Sequence, residues 1–284
     1  MEWQHGDMTD SVNAENRQRV DMLEQVWRSV AGLGGALDET EWKAPSECPG
    51  WTVQDNLVHI TALEKFILGD PLPSEDVPDD LPHVKNDVGR SNERWIESRR
   101  AWSGADALAE FVAVTDARIA QLRALDDAGF AADSWTPMGP GTVLQLLGFR
   151  IFDSWVHEQD MRRAVDRPGD LDSAAARFST GMMLDVLPYV IGKKVGPPDG
   201  STVVLQLTGP IVSTTAVGIT GGRARVLDTV PEVPTVAVTL AADVYSRLAC
   251  GRRDPDEALV TGGVTIEGDV ELGGALVRQL NYMF

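Results

Sequence analysis

The residues of this chain best suited to chemistry are a few histidines and carboxylates on helical stripes. The stretch DSWVHEQDMRR, residues 153–163, spaces Asp153, His157 and Asp160 by four and three, so all three share one face of a helix. The chain has four histidines, His5, His59, His83 and His157. His59 falls inside a second apolar helical run, on a stripe with Leu63 and Phe66. If the two helices are neighbours, one histidine from each converges with the Asp153 carboxylate. Two imidazoles and a carboxylate are a donor set of zinc sites that keep a fourth coordination position open, and bundle interiors host such sites. Asp160, one turn on, would orient a ligand by hydrogen bonding from outside. A histidine on a helix flank is more often a hydrogen-bonded structural residue, and residue types alone leave both readings open. HEQDM departs from the HExxH zinc signature, because Met161 stands where its second histidine would be.

Other side chains near these stripes are less specific. Arg150, three residues before Asp153, would pair with it or meet an anionic substrate. Trp51, Trp135 and Trp155 read as core or pocket lining. The Asp-rich segment at residues 70–87 reads as a solvated face.

Positioning these residues requires a helical first half. Val20, Leu23, Trp27, Val30 and Leu33 recur at helical spacing. Pro49-Gly50 marks a turn, and Thr52 with Asp55 resembles a capping box that starts a helix over residues 53–68. After the Pro- and Asp-rich loop, helical patterning resumes near Asn92, and Leu108, Phe111, Val112, Thr115, Ile119 and Leu122 mark a long helix. DAGFAADSWTPMGPGT reads as a loop, and the helix carrying His157 runs from about residue 142 to 165, stopped by Arg167-Pro168-Gly169. One more helix fits residues 172–191. Beyond GKKVGPPDGS the stretches TVVLQL, TTAVGIT, RARVL and TVAVTL read as strands, with helices at AADVYSRLAC and after VTIEGD. The expected architecture is α+β in two domains: a helical bundle over residues 1–192 and a small α+β domain over residues 193–284.

Composition removes several functions. Hydrophobic residues make up 43% and charged residues 24%, ordinary for a globular protein. The formal net charge of −18 argues against nucleic acid and against an anionic membrane surface as partners. Two cysteines, Cys48 and Cys250, make no disulfide framework, and the start of the chain has no apolar core of signal-peptide length. The expectation is a cytoplasmic protein acting on small molecules, its oligomeric state unspecified by sequence.

Three segments together resemble one family. CPGWTVQDNLVHITALE, then WTPMGPGT with RIFDSWVHEQDMRRAV, resemble the metal-site segments of mycothiol-dependent maleylpyruvate isomerases, within the DinB-like metalloenzyme superfamily. RLACGRRDPDEALVTGGVTIEGDVELGGALVRQL resembles that family's small C-terminal, sterol-carrier-like domain. The resemblance implies a DinB-like four-helix bundle and a divalent site, most simply Zn2+, at His59, Asp153 and His157. The family pattern has Glu as its acidic ligand; Asp153 is one methylene shorter. The resemblance also implies an external thiol, mycothiol, that adds to an activated double bond, permits rotation and is eliminated. It leaves the protein itself without a nucleophile: Cys48 beside the Pro-Gly turn is the weaker alternative, and Cys250 reads as packing. Arg150 and Arg162 would meet the carboxylates of an acidic substrate, with Trp51 and Trp155 at the thiol or substrate. Two other outcomes fit the same segments: S-transfer onto an electrophile at the same metal, and a non-catalytic metal- or ligand-binding regulator.

Overall fold

The computed structural model describes residues 5–283, with side chains from residue 14 onward, so the His5 side chain lies outside the described residues. The chain divides into two compact units, Met1–Asp170 and Leu171–Phe284.

In the first unit the helices are α1 (His5–Gly34), α2 (Glu39–Trp42), α3 (Val53–Leu68), α4 (Asp87–Glu97), α5 (Gly104–Arg123) and α6 (Asp127–Ala131), followed by strands β1 (Asp133–Thr136) and β2 (Gly139–Thr142) and helix α7 (Val143–Ala164). Local chemistry sets the starts of the helices that matter. The Asp55 amide donates to the Thr52 hydroxyl at 3.2 Å and the Thr52 amide to the Asp55 carboxylate at 2.8 Å, a reciprocal cap that begins α3. Thr142 and Gln145 do the same for α7. Helices α1 and α3 each pack on both α5 and α7, which closes a four-helix bundle. Leu23 and Val30 of α1, Leu57 and Ile60 of α3, Phe111 and Leu122 of α5, and Leu147 and Ile151 of α7 are almost wholly removed from water. Each such burial contributes about 1.5–3 kcal/mol before the entropy of ordering.

The segment expected to be a loop after α5 holds more structure. It forms α6 and a tight hairpin in which Trp135 pairs with Pro140 and Thr136 with Gly139. The Thr136 hydroxyl donates to the Gly139 carbonyl at 2.8 Å and Gly139 takes φ +108, a backbone angle that a Cβ would strain. Trp135 lies on this hairpin 52% exposed, and so is neither core nor enclosed pocket lining.

The second unit opens with α8 (Ala174–Tyr189), which runs into a π-helical turn (Val190–Val195). Strands β3 (Thr202–Thr208), β4 (Ser213–Thr220), β5 (Arg223–Val226), β6 (Val236–Ala241) and β7 (Val264–Gly268) form one sheet in the order β5-β4-β3-β6-β7. The central pair β3 and β6 is parallel and the other pairs are antiparallel. Helices α9 (Ala242–Ala249), α10 (Pro255–Val260) and α11 (Val270–Arg278) complete the unit. The fold is therefore α+β in two domains, as expected, but the division falls at Asp170/Leu171 rather than near residue 193. The reason is that α8 packs with α9 and β5. The Tyr282 hydroxyl donates to the Met183 carbonyl of α8 at 2.9 Å.

Buried charge within the bundle gives it a pH signature. Glu158 of α7 is fully buried. Burial, reinforced by Asp170, pushes its carboxyl up to about 7, although the Ser29 hydroxyl and Arg162 pull the other way. A carboxyl that ionises less readily when folded binds its proton more tightly in the native than in the unfolded chain. Its contribution is present at low pH and is lost as pH rises from about 4.5 towards 7. Across that window the loss approaches about 3 kcal/mol. Glu158→Gln should flatten this slope relative to wild type in urea melts followed across those pH values, and an unchanged slope would contradict the assignment.

Among the described residues, no helix is long and apolar enough to cross a membrane.

Candidate metal centre

Helices α3 and α7 lie side by side, and their facing stripes carry the histidines. His59 Nε2 is 3.4 Å and His157 Nε2 3.6 Å from the same oxygen, Asp153 Oδ1. The two imidazole rings stand 4.7 Å apart between centroids, at 67°. Donors bonded at about 2.1 Å around a tetrahedral ion are separated by about 3.4 Å. The two measured separations are close to that edge, and all three donor atoms fall within 4.8 Å of one another. His59 and His157 are buried while Asp153 keeps 29% of its side chain exposed, so the set is reachable from one side.

Two of the three donors, His157 and Asp153, are held from behind. Ser46 donates its hydroxyl to the Trp51 carbonyl at 2.9 Å, so it can only accept from Asn56 Nδ2, also at 2.9 Å. Asn56 Nδ2 donates a second time, to the Thr52 carbonyl at 2.8 Å. The amide orientation is thereby fixed with Oδ1 facing His157 Nδ1 at 2.8 Å. Nδ1 must then carry the proton, and the Nε2 lone pair points at Asp153 and His59. Asp160, expected to orient a ligand, lies behind the same ring with Oδ2 at 3.3 Å from Nδ1, and its other oxygen accepts from Arg163 at 2.7 Å.

Asp153 is held by a buried chain of charges. Arg150 donates from one guanidinium nitrogen to Asp153 Oδ2 at 2.6 Å and from Nε to Glu64 of α3. The other oxygen of Glu64 accepts from Arg118 of α5 at 3.1 Å. Arg150 therefore occupies one carboxylate oxygen and leaves Oδ1 for the histidines. Burial works against ionisation of Asp153, but Arg150 and the two imidazoles overcome it and hold the carboxyl well below its usual range. Burial lowers the His59 pKa, with Asp153 opposing. At neutral pH this favours an anionic Asp153 oxygen beside a neutral His59 imidazole, protonation states that bind metal.

Trp51 roofs the site. Its ring centroid lies 5.0 Å from that of His59 and 5.7 Å from that of His157. Its indole N–H donates to Glu93, which also pairs with His83 at 2.9 Å and with Arg100 at 3.3 Å. Gly50, just before Trp51, has φ +80, and a Cβ there would come within 2.6 Å of the His83 ring.

The expected residues thus separate. His59, Asp153, His157, Asp160 and Trp51 come together. Arg150 supports the site from within the bundle, 1% exposed and committed to two carboxylates, rather than facing a substrate. Arg162 pairs with Glu158 at 2.8 Å and also donates to Ser29 and the Arg167 carbonyl. Trp155 is buried and donates to the Asp170 carbonyl at 3.0 Å, a packing role. Sequence reasoning missed Asn56 and Glu64. Asn56 lies three residues before His59 on its helical face, and that spacing was the available signal. Cys48 is buried beside Asp160, its sulfur 3.0 Å from Oδ2.

The chain is thus a helical bundle in which two histidines and an aspartate converge, followed in sequence by a small α+β domain. The model described as the mycothiol maleylpyruvate isomerase N-terminal domain matches residues 23–162, and that described as the MDMPI C-terminal domain matches residues 175–275. The chain belongs to the mycothiol-dependent maleylpyruvate isomerase family, and that membership supports an enzyme. The crystal structure of the mycothiol-dependent maleylpyruvate isomerase is similar at 16% identity and a TM-score of 0.54, covering 90% of this chain and 94% of that one. A histidine-to-alanine mutant of that isomerase aligns over the same shares at 17% identity and a TM-score of 0.53. At these identities the likeness is one of fold. No curated protein matches the chain.

Proposed function

We propose that the chain is a divalent-metal- and mycothiol-dependent enzyme that isomerises an activated cis double bond. The observation that carries this reading is the convergence of His59, Asp153 and His157 on one point, with separations close to a tetrahedral edge and one exposed side. Those three residues would hold the ion, and mixed nitrogen and oxygen donors suit zinc. Bound there, a divalent ion supplies one thing: it deprotonates a thiol whose free pKa is about 8.5.

The chain's own groups do the rest. Asn56 fixes the His157 tautomer, and Arg150 holds Asp153 to a single inward oxygen. Trp51 packs over both imidazoles, narrowing the access of water to them. No protein thiol is needed as nucleophile. Cys48 lies on the far side of the His157 ring from the Asp153 oxygen, its thiol directed at the Asp160 carboxylate at 3.0 Å.

Purified protein should contain close to one zinc-type ion per chain by elemental mass spectrometry. It should turn over a maleylpyruvate-type substrate only with added mycothiol, and lose that activity on chelation. Product free of the thiol identifies isomerisation, whereas product retaining it identifies S-transfer. A wild-type chain that takes up no metal even on reconstitution with zinc would end this reading.

A further inference from the structure

The His157 ring faces converging donors on both sides. Nε2 meets the set just described. Around Nδ1 lie Cys48 Sγ, Asp160 Oδ2 and Asn56 Oδ1, from residues that are all buried. Five of the six separations among these four atoms are known. Sγ lies 3.0 Å from Asp160 Oδ2, 3.4 Å from Asn56 Oδ1 and 3.8 Å from Nδ1. Nδ1 lies 2.8 Å from Asn56 Oδ1 and 3.3 Å from Asp160 Oδ2. A tetrahedral ion bonded to sulfur at about 2.3 Å and to nitrogen or oxygen at about 2.1 Å spaces its donors by about 3.4–3.7 Å. The five edges run from 2.8 to 3.8 Å, and the tightest would open by about half an ångström around an ion.

We infer that Cys48, Asp160, Asn56 and Nδ1 of His157 form a second metal site, one that takes thiophilic ions. Three features argue for this. Arg163 occupies Asp160 Oδ1 at 2.7 Å, so Oδ2 faces inward. A thiolate and a carboxylate together neutralise a divalent ion, whereas the first set supplies only one negative charge. With four buried donors and a sulfur among them, the site is closed and soft, the preference of cadmium, copper(I) or tightly bound zinc.

The proton balance makes the two sites rivals. Binding at the second set releases the Cys48 proton to solvent and moves the His157 proton from Nδ1 to Nε2. A neutral imidazole has one lone pair. Once Nδ1 is bound, Nε2 is no longer a donor for the first set. A thiophilic ion would thus disable the His59–Asp153–His157 centre without entering it.

Cadmium is the probe, read by ions bound per chain and by thiolate-to-cadmium charge-transfer absorption in the near ultraviolet. The metal-stripped full-length protein and the variants His59→Ala, Cys48→Ser and Cys250→Ser are compared, each checked for native helicity. The charge-transfer band should appear in wild type, in His59→Ala and in Cys250→Ser, and be lost in Cys48→Ser. Mixed zinc and cadmium loading of wild type should stop at one ion per chain in total. The second site is overturned by cadmium binding without the band, by no cadmium binding, or by a band that survives Cys48→Ser. Two ions bound per chain would overturn the rivalry. Zinc without a cadmium band removes only this second site, and a cadmium band without any zinc uptake removes only the first.

Discussion

His157→Ala should give a folded chain that holds no stoichiometric metal and turns over at least about thirtyfold more slowly than wild type. The figure comes from the thiol alone: with a free pKa of about 8.5, only about 3% is thiolate at pH 7, so losing the ion removes most of the nucleophile. Loss of positioning adds to it. His157 is the most constrained of the three donors, since Asn56 and Asp160 both address its Nδ1 while Nε2 faces Asp153. His59 lacks such support, because its Nδ1 is buried without a hydrogen-bond partner. Elemental mass spectrometry and steady-state kinetics with mycothiol, on wild type and variant prepared together, check the result. Full metal content in His157→Ala would remove this residue from the donor set.

Glu64→Leu should cost about 3–5 kcal/mol of stability, the usual penalty for removing one partner of a buried ion pair. Glu64 is fully buried and takes Arg150 on one oxygen and Arg118 on the other. Without it, two guanidiniums face each other inside the bundle, and Arg150 retains only Asp153 and a 3.4 Å contact to the Ile60 carbonyl. Chemical denaturation gives the number. Adding Arg118→Leu to the variant should restore part of the loss by removing the charge left without a partner. A single-variant penalty below about 1 kcal/mol would mean that the chain of charges is solvated and does not brace Asp153.

What the sequence made legible follows from period and from caps. The His59 and His157 helices were readable because Thr52 with Asp55 and the i, i+4 step from Asp153 are short-range signals. Glu64 and Arg150 were not readable as one unit, because a buried charge on a helix looks like a surface charge until its partner on another helix is known. The β1–β2 hairpin was hidden by its own residues: TPMGPG is turn chemistry, and four-residue strands leave little alternation to detect. Helix α8 was readable as a helix but not as part of the second unit. Its apolar stripe has the same 3.6-residue period whichever core receives it, and the contact that decides, Tyr282 to the Met183 carbonyl, spans 99 positions.

The donor set and every side chain that braces it, from Ser46 to Arg163, belong to the unit that ends at Asp170. Inheritance can therefore treat the proposed ion-holding residues as a single cassette. A lineage that reshaped the sheet domain would keep His59, Asp153, His157 and the side chains around them in one continuous stretch of sequence.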